Sequence, residues 1–247
     1  MALIHSFENS GNFLFRKRGQ LPAVLFLLVV PFLYFTDTTG IGETNRIILT
    51  VLSIVISFLG FTIRAIAIGT TPKGTSGRNT EEQVADSLNK KGIYSVVRHP
   101  LYLGNYLMWI GIVVFTFNLY FIIIVSLAFW LYYERIMFAE ERFLERKFGE
   151  NYLAWSQKVP AFIPDFRAWL KGDIPFSWVS ILRREYSGVL ATVFSFTFID
   201  HLRHYFQTGE FDPFRTSTYV LGITLVVTLI LRTLKHSTRI LNEEGRS

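Results

Sequence analysis

The residues best suited to chemistry lie just before an apolar run, where Arg98, His99 and Pro100 follow one another. Proline favours the first turn of a helix and disfavours helix at the residue before it, so we expect a helix to begin at about Pro100. The free N–H groups of that turn, the helix dipole, Arg98 and His99 would together hold a carboxylate or a phosphate. The alternative is that Arg98 is only a basic anchor at a membrane boundary.

Aromatic, small and amide side chains surround this candidate anion site. Tyr94 and Tyr102 offer aromatic faces, and Gly104, one turn into the predicted helix, leaves space for a ligand to approach the backbone. Asn105 follows on the same helix and is a further candidate for binding a cofactor. In the alternative interpretation, the tyrosines form an aromatic belt at the membrane interface.

A second group of candidate residues is a pair of carboxylates in a later amphipathic segment. Helical spacing places four apolar residues of this segment on one face: Met137, Leu144, Phe148 and Tyr152. Glu141 lies in the middle of that face and Glu140 at its edge. A carboxylate on a packing face is costly unless it meets a cation or hydrogen-bond donors. Its partner is then Arg98 or Arg64, or else a ligand with a positive charge and hydroxyls, such as S-adenosylmethionine.

The composition indicates that these residues lie in a membrane protein. Of 247 residues, half are apolar and only 18% are charged, which is unusual for a soluble chain. The sequence contains no cysteine, which excludes a disulfide scaffold and a Cys-ligated metal site, and we predict no other metal site. Six uncharged apolar runs occur at 21–35, 47–63, 101–117, 119–133, 186–199 and 216–231. We therefore predict an all-α, polytopic membrane helix bundle of about six transmembrane helices, the third and fourth forming a tight hairpin.

The distribution of basic residues predicts the orientation of this bundle. With both termini in the cytoplasm, 21 of the 25 Lys and Arg residues lie in cytoplasmic segments, as the positive-inside rule requires. Topology then explains the net charge of +6, which gives no reason to expect a nucleic-acid partner. In a bacterium, such a multi-pass integral protein would lie in the plasma (inner) membrane.

Three regions are predicted along the chain: an N-terminal two-helix membrane region (1–68), a core that carries the motifs (69–164), and a C-terminal linker with two membrane helices (165–247). In the core, we expect a short helix from Thr80 through Asn89. The fourth membrane helix is expected to continue as a cytoplasmic amphipathic extension until Pro160 and Pro164 break it.

In their order and spacing, the motifs resemble the isoprenylcysteine carboxyl methyltransferase family and its bacterial relatives, which are grouped with phospholipid methyltransferases as integral-membrane enzymes. The residues that carry the resemblance are Arg98-His99-Pro100-Leu101-Tyr102-Leu103-Gly104, Glu140-Glu141-x-x-Leu144, Phe148-Gly149-x-x-Tyr152 and Val159-Pro160-x-x-Ile163-Pro164. The resemblance covers about residues 69–164. Two helices after it are a departure from the short members of the family.

The resemblance implies S-adenosylmethionine-dependent methyl transfer to a membrane lipid or lipidated acceptor, with a carboxyl, phosphate or amine group as the methyl acceptor. The residues implied to bind the cofactor are Tyr94, Arg98, His99, Tyr102, Gly104, Asn105, Glu140 and Glu141. Arg64, inside the second predicted helix, and Arg98 are the candidate catalytic residues; Arg64 would hold an anionic acceptor or else snorkel to the interface. An NADPH-dependent membrane reductase of related fold and a non-catalytic membrane scaffold remain as alternatives.

Overall fold

The protein is a bundle of α-helices. The computed structural model describes residues 2–72 and 83–246. The helices of this part of the chain are α1 (Leu3–Arg16), α2 (Leu21–Phe35), α3 (Glu43–Gly69), α4 (Pro100–Val114), α5 (Leu119–Phe148), α6 (Glu150–Ser156), α7 (Trp178–Thr208) and α8 (Thr216–Ser237). The predicted all-α class is confirmed, and the six apolar runs correspond to α2, α3, α4, α5, α7 and α8.

Three helices of the described residues are long and apolar enough to cross a membrane: α3, α5 and α8. The apolar helices α4 and the 26–35 part of α2 are shorter. Among the residues of α8, only Thr228 is buried, and the helix lies on the outside of the bundle, which is the position of a surface that faces lipid. The architecture is therefore a membrane helix bundle, and the number of six crossings stays a prediction.

The hairpin of α4 and α5 forms as the sequence predicts. The helix starts at Pro100 with His99 as its N-cap, and only residues 115–118 separate it from α5. Asn118 caps α5, because its side-chain oxygen accepts a hydrogen bond from the backbone N–H of Phe121 at 2.8 Å. This tight connection sets α4 and α5 side by side along one cavity.

Two predicted helix boundaries are wrong. The amphipathic extension of α5 ends at Phe148 and not at Pro160, because Gly149 adopts φ +51°, a conformation that glycine tolerates. The helix predicted from Thr80 through Asn89 does not form at residues 83–89, and residues 80–82 lie outside the described part of the chain. Residues 83–89 instead run as irregular chain, and their packing overrides a helix propensity that is weak over so few residues.

A helix that the sequence analysis missed, α1, lies along α5. A Cβ at Gly11 would come within 2.1 Å of the carbonyl oxygen of Arg135, so the two helices approach as closely as their backbones allow. The Arg135 guanidinium lies 3.2 Å from the centre of the Phe7 ring, and Glu8 pairs with Arg146 at 2.5 Å. The signal for this helix is the helical spacing of residues 3, 7, 11 and 14.

Close packing of small residues joins α3 to α4. A Cβ at Gly111 would lie 2.2 Å from the Ser57 hydroxyl oxygen, and one at Gly60 would lie 2.5 Å from the Gly104 carbonyl oxygen. The Ser57 hydroxyl donates a hydrogen bond to the carbonyl oxygen of Met108 at 2.9 Å. Small residues at such crossings let helix backbones approach closely, as in other membrane bundles.

The C-terminal region is part of the same bundle, since α7 packs against α2, α3 and α4. The tail after α8 folds back onto the ends of α3 and α7. Arg246 donates to the carbonyl oxygens of Gly69 and Thr71 at 3.1 and 3.2 Å. Glu243 accepts a hydrogen bond from the hydroxyl of Ser177, the N-cap of α7. The tail thereby binds the C-terminal end of α3 through Arg246 and the N-terminal end of α7 through Glu243.

Candidate functional site

A cavity of about 820 Å³ lies inside the bundle and is lined by residues of α4, α5 and α7. It follows α4 from His99 to Val113 and α7 from Arg184 to Ile199, which is about 20 Å at about 1.5 Å per residue. One end, here called the polar end, is lined by Tyr94, Arg98, His99, Tyr102, Glu140 and Glu141. The other, here called the apolar arm, is lined by Met108, Val113, Phe121, Val125, Phe194 and Ile199.

Arg98 and Glu141 form an ion pair at the polar end. Arg98 Nε donates to Glu141 Oε1 at 3.0 Å, and Nη2 donates to Oε2 at 3.3 Å. The third guanidinium nitrogen, Nη1, donates to the carbonyl oxygens of Ser156 and Val159. The partner of the carboxylate on the apolar stripe is therefore Arg98. All three guanidinium nitrogens of Arg98 donate hydrogen bonds, so the guanidinium is held in place. It therefore fixes the orientation of the Glu141 carboxylate.

His99 connects both carboxylates. Its ring is buried, with Nε2 2.8 Å from Glu141 Oε1 and Nδ1 3.7 Å from Glu140 Oε2. The ring stacks on Tyr102, with centroids 5.6 Å apart. Its backbone N–H donates to the carbonyl oxygen of Ala161 at 3.1 Å, which fixes the helix start against the loop after α6. The N-terminal turn of α4, which the sequence predicts as an anion site, thus faces two glutamates of the protein.

Glu140 is the member of this cluster whose hydrogen bonding is incomplete. Its Oε2 is buried and has no hydrogen-bond partner in the structure. A buried polar atom without a partner is rare and costs free energy, so it calls for an explanation. A ligand that carries hydroxyl or amino donors would satisfy this oxygen. Glu140 is therefore suited to bind a ligand, whereas Glu141 binds Arg98 and His99.

Two tyrosines lie beside the carboxylates, and the hydroxyl of one of them, Tyr152, is buried without a hydrogen-bond partner. Burial and the charge of Glu140 raise the pKa of the Tyr94 hydroxyl to about 12. Burial and the charge of Glu141 raise the pKa of Tyr152 well above its usual range. Both hydroxyls therefore stay protonated at neutral pH. Tyr152 was not among the predicted site residues, although it belongs to the quoted motif and its helical spacing places it beside Glu141.

Arg64 enters the cavity across Gly104. A Cβ at Gly104 would lie 2.5 Å from Arg64 Cγ and 2.8 Å from the carbonyl oxygen of Gly60. The space that the sequence analysis expected at Gly104 is therefore filled by α3 and the stem of Arg64. The guanidinium of Arg64 then donates to Asn105 Oδ1 at 2.5 Å, and Asn105 Nδ2 donates to the Tyr133 hydroxyl at 3.3 Å.

Glu185 on α7 is a cavity residue that sequence reasoning missed. It accepts two hydrogen bonds from Arg64, at 2.8 and 2.6 Å, and its side chain is only 4% exposed. Arg64 therefore neither snorkels to the interface nor stands free to bind an anion. The two residues are 121 positions apart, so no local spacing connects them. The one signal is a charged cluster, Arg183, Arg184 and Glu185, at the start of the fifth apolar run.

Comparison with known proteins identifies the family. A model of the family described as phospholipid methyltransferase matches residues 45–151. The segment of residues 45–151, which carries most of the motifs, therefore belongs to the phospholipid methyltransferase family. The resemblance carried by the motifs is thereby confirmed. The matched segment contains Arg64 and all six residues of the polar end of the cavity, but it ends before Tyr152, α7 and Glu185.

Individual relatives agree with this assignment. The protein is 30% identical to the cobalt-zinc-cadmium resistance protein CzcN of Cupriavidus metallidurans over 62% of this chain and 66% of that protein. It is 30% identical to the protein-S-isoprenylcysteine O-methyltransferase of Schizosaccharomyces pombe over 44% of this chain and 48% of that protein. It is 31% identical to the Xenopus laevis protein of the same name over 52% of this chain and 45% of that protein. The chain thus spans about half the length of these methyltransferases, and no solved structure matches it.

Proposed function

We propose that this protein transfers a methyl group from S-adenosylmethionine to a lipid or lipid-linked acceptor at the cytoplasmic face of the membrane. The observation that carries the proposal is a cavity that is lined both by a cluster of His99, Glu140 and Glu141 and by the apolar arm. The match of residues 45–151 to a methyltransferase family supports the reaction. The name shared by the yeast and frog relatives supports a lipidated acceptor.

The side chains at the polar end fit S-adenosylmethionine, which carries an ammonium group, two ribose hydroxyls and a sulfonium. Glu140 Oε2 is a buried acceptor without a partner, suited to a hydroxyl or amino donor. The rings of Tyr94 and Tyr102 line the same end and offer faces to a cation. When bound, the cofactor supplies a methyl group made electrophilic by the positive charge on sulfur. A cavity of about 820 Å³ is in the size range of small-molecule sites.

The residues of the chain orient the reactants and exclude water. Arg98 and His99 hold the Glu141 carboxylate from two sides, so the polar end is preorganised before a ligand enters. The apolar arm accepts a hydrocarbon chain and keeps water from the reacting atoms, which strengthens the electrostatic interactions there. No general base is required for an acceptor that is already ionised at neutral pH, whereas an amine must first lose a proton.

The predicted orientation supports a cytoplasmic site. The segments that flank the polar end, around residues 90–98 and 142–158, carry basic residues of the kind that the positive-inside rule places in the cytoplasm. The apolar arm then extends from this face into the hydrocarbon layer. A lipid acceptor would reach the polar end from within the membrane, while the water-soluble cofactor would reach it from the cytoplasm.

Calorimetric titration of the protein in lipid nanodiscs tests the proposal. We expect saturable binding of S-adenosylmethionine and none of NADPH. Glu140→Gln should weaken binding at least about tenfold, because a charge-assisted hydrogen bond is lost. Glu145→Gln, a surface change on the same helix, is the matched control and should leave binding unchanged. Binding of NADPH instead would favour the reductase alternative, and binding of neither ligand would favour the scaffold.

A further inference from the structure

The ion pair of Arg64 and Glu185 stands where the polar end of the cavity meets the apolar arm. Asn105, which binds Arg64, lies on α4 one turn after Tyr102 at the polar end and one turn before Met108 in the apolar arm. On α7, Glu185 is followed along the cavity wall by small residues: Gly188, Ala191, Thr192 and Ser195. An amphiphile with its chain in the apolar arm would place its headgroup at this junction.

Arg64 and Glu185 cancel one another's charge at the junction. Both nitrogens of the bidentate contact lie within 2.8 Å of carboxylate oxygens, and the Glu185 side chain is almost fully buried. Arg64 alone would be a site for an anionic headgroup. With Glu185 in place, an anion at the junction meets a carboxylate as well as a guanidinium. The other charged side chains that line the cavity are Arg18, Arg98, Glu140, Glu141 and Arg184.

We propose that Glu185 is a positioning and specificity-determining residue, which fixes the Arg64 guanidinium and makes the junction select an acceptor headgroup without net negative charge. The inference rests on the proposed function, because it concerns the acceptor of that reaction. Arg64 lies within the segment matched by the family model, whereas Glu185 comes from α7 beyond it. The C-terminal helices therefore set the charge preference of a site whose other parts lie in the family segment.

Two amphiphiles that share one chain and differ only in headgroup charge test this proposal. We would measure the dissociation constants of N-palmitoylglycine, which is anionic, and of N-palmitoylglycinamide, which is neutral, for the protein in nanodiscs. Wild-type protein should bind the neutral compound more tightly. In Glu185→Gln, binding of the anionic compound relative to the neutral one should strengthen about tenfold or more, because a buried carboxylate beside the headgroup is removed.

Further variants separate charge selection from a general loss of structure. Arg64→Gln should shift the ratio in the opposite direction, away from the anion, since it leaves Glu185 without its counter-charge. Glu185→Asp retains the charge and should keep the wild-type ratio. Glu210→Gln, at an exposed position just beyond the far end of α7, is the control and should change nothing. If Glu185→Gln fails to fold, Arg64→Gln decides the question.

The result that overturns the proposal is a headgroup ratio that Glu185→Gln and Arg64→Gln leave unchanged or shift in the same direction. Titration of S-adenosylmethionine into the same samples keeps the two claims apart. Wild-type protein that binds S-adenosylmethionine with an unmoved ratio contradicts only the role of Glu185. Wild-type protein that does not bind S-adenosylmethionine contradicts the proposed function, whatever the ratio does.

Discussion

At the scale of single residues, the adjacent glutamates 140 and 141 have different tasks. The sequence predicts that a carboxylate on the apolar face of α5 needs a partner, and the structure supplies Arg98 and His99 for Glu141. Sequence spacing left the choice between Arg98 and Arg64 open, because it says nothing about which helices pack together. For the same reason, the sequence did not predict that Glu185 is the ion-pair partner of Arg64.

The different tasks of the two glutamates predict different effects on stability. Glu141→Gln should lower the free energy of unfolding by about 2 kcal/mol, because Arg98 loses its charged partner in a half-buried site. Glu140→Gln should leave stability unchanged or raise it slightly, since an oxygen of that carboxylate is buried without a hydrogen bond. Thermal unfolding in detergent measures both. A larger loss in Glu140→Gln than in Glu141→Gln would contradict the assignment.

Gly104 provides a second prediction at this scale. Gly104→Ala would force a Cβ against Arg64 Cγ and the Gly60 carbonyl oxygen, and overpacking of this kind costs about 1–3 kcal/mol. Gly222→Ala on α8 is the control, because no atom lies within 4 Å of the added Cβ. The thermal midpoint should fall only in Gly104→Ala. Equal midpoints in the two variants would show that α3 and α4 do not meet as closely as described.

At the scale of elements, apolar runs and proline positions were enough to locate most helices. Their ends were predicted where a local signal exists, as at Pro100, and missed where tertiary contacts decide. Residues 83–89 pass beside α1, where Gln83 donates to Asn12 at 3.3 Å, and this contact has no local signature. Helix α1 has a helical spacing of apolar and small residues. Because basic residues follow one another at its C-terminal end, the sequence analysis assigned this segment to the cytoplasm without predicting a helix.

The C-terminal tail gives the prediction that belongs to this scale. The double variant Glu243→Gln/Arg246→Gln should lower the free energy of unfolding by about 1–2 kcal/mol, because charge-assisted hydrogen bonds at the ends of α3 and α7 are lost. Arg239→Gln, on the exposed part of the same tail, is the control. Thermal unfolding is again the measurement. If the double variant matches the control, the tail does not hold these helix ends.

At the scale of the whole molecule, the positions of the basic residues and of the cavity belong to one arrangement. The charge pattern predicts which face is cytoplasmic, and the residues that line the polar end of the cavity lie next to the basic segments in the sequence. The sequence did not predict that α7 lines the same cavity. The contacts of α7 with α2 and α3 join the C-terminal and N-terminal thirds of the chain, and no local pattern indicates them. The family segment alone therefore does not enclose the site.

The absence of cysteine from the sequence makes the predicted orientation directly measurable. Asp212→Cys, in the connection between α7 and α8, should react with a membrane-impermeant maleimide in intact cells. Lys158→Cys, in the loop after α6, should react only after the membrane is permeabilised. Lys158 is exposed in the structure and Asp212 is partly exposed. Labelling of Lys158→Cys in intact cells would reverse the orientation and remove the cytoplasmic site.

Transfer of label from methyl-labelled S-adenosylmethionine tests the central claim most directly. Membranes that contain the wild-type protein should incorporate label into the lipid-soluble fraction, and membranes with Glu140→Gln should incorporate at most about a tenth as much. Release of the label by mild base would identify a carboxyl ester, and resistance to base would point to another acceptor group. Equal incorporation in membranes with and without the wild-type protein would contradict the account.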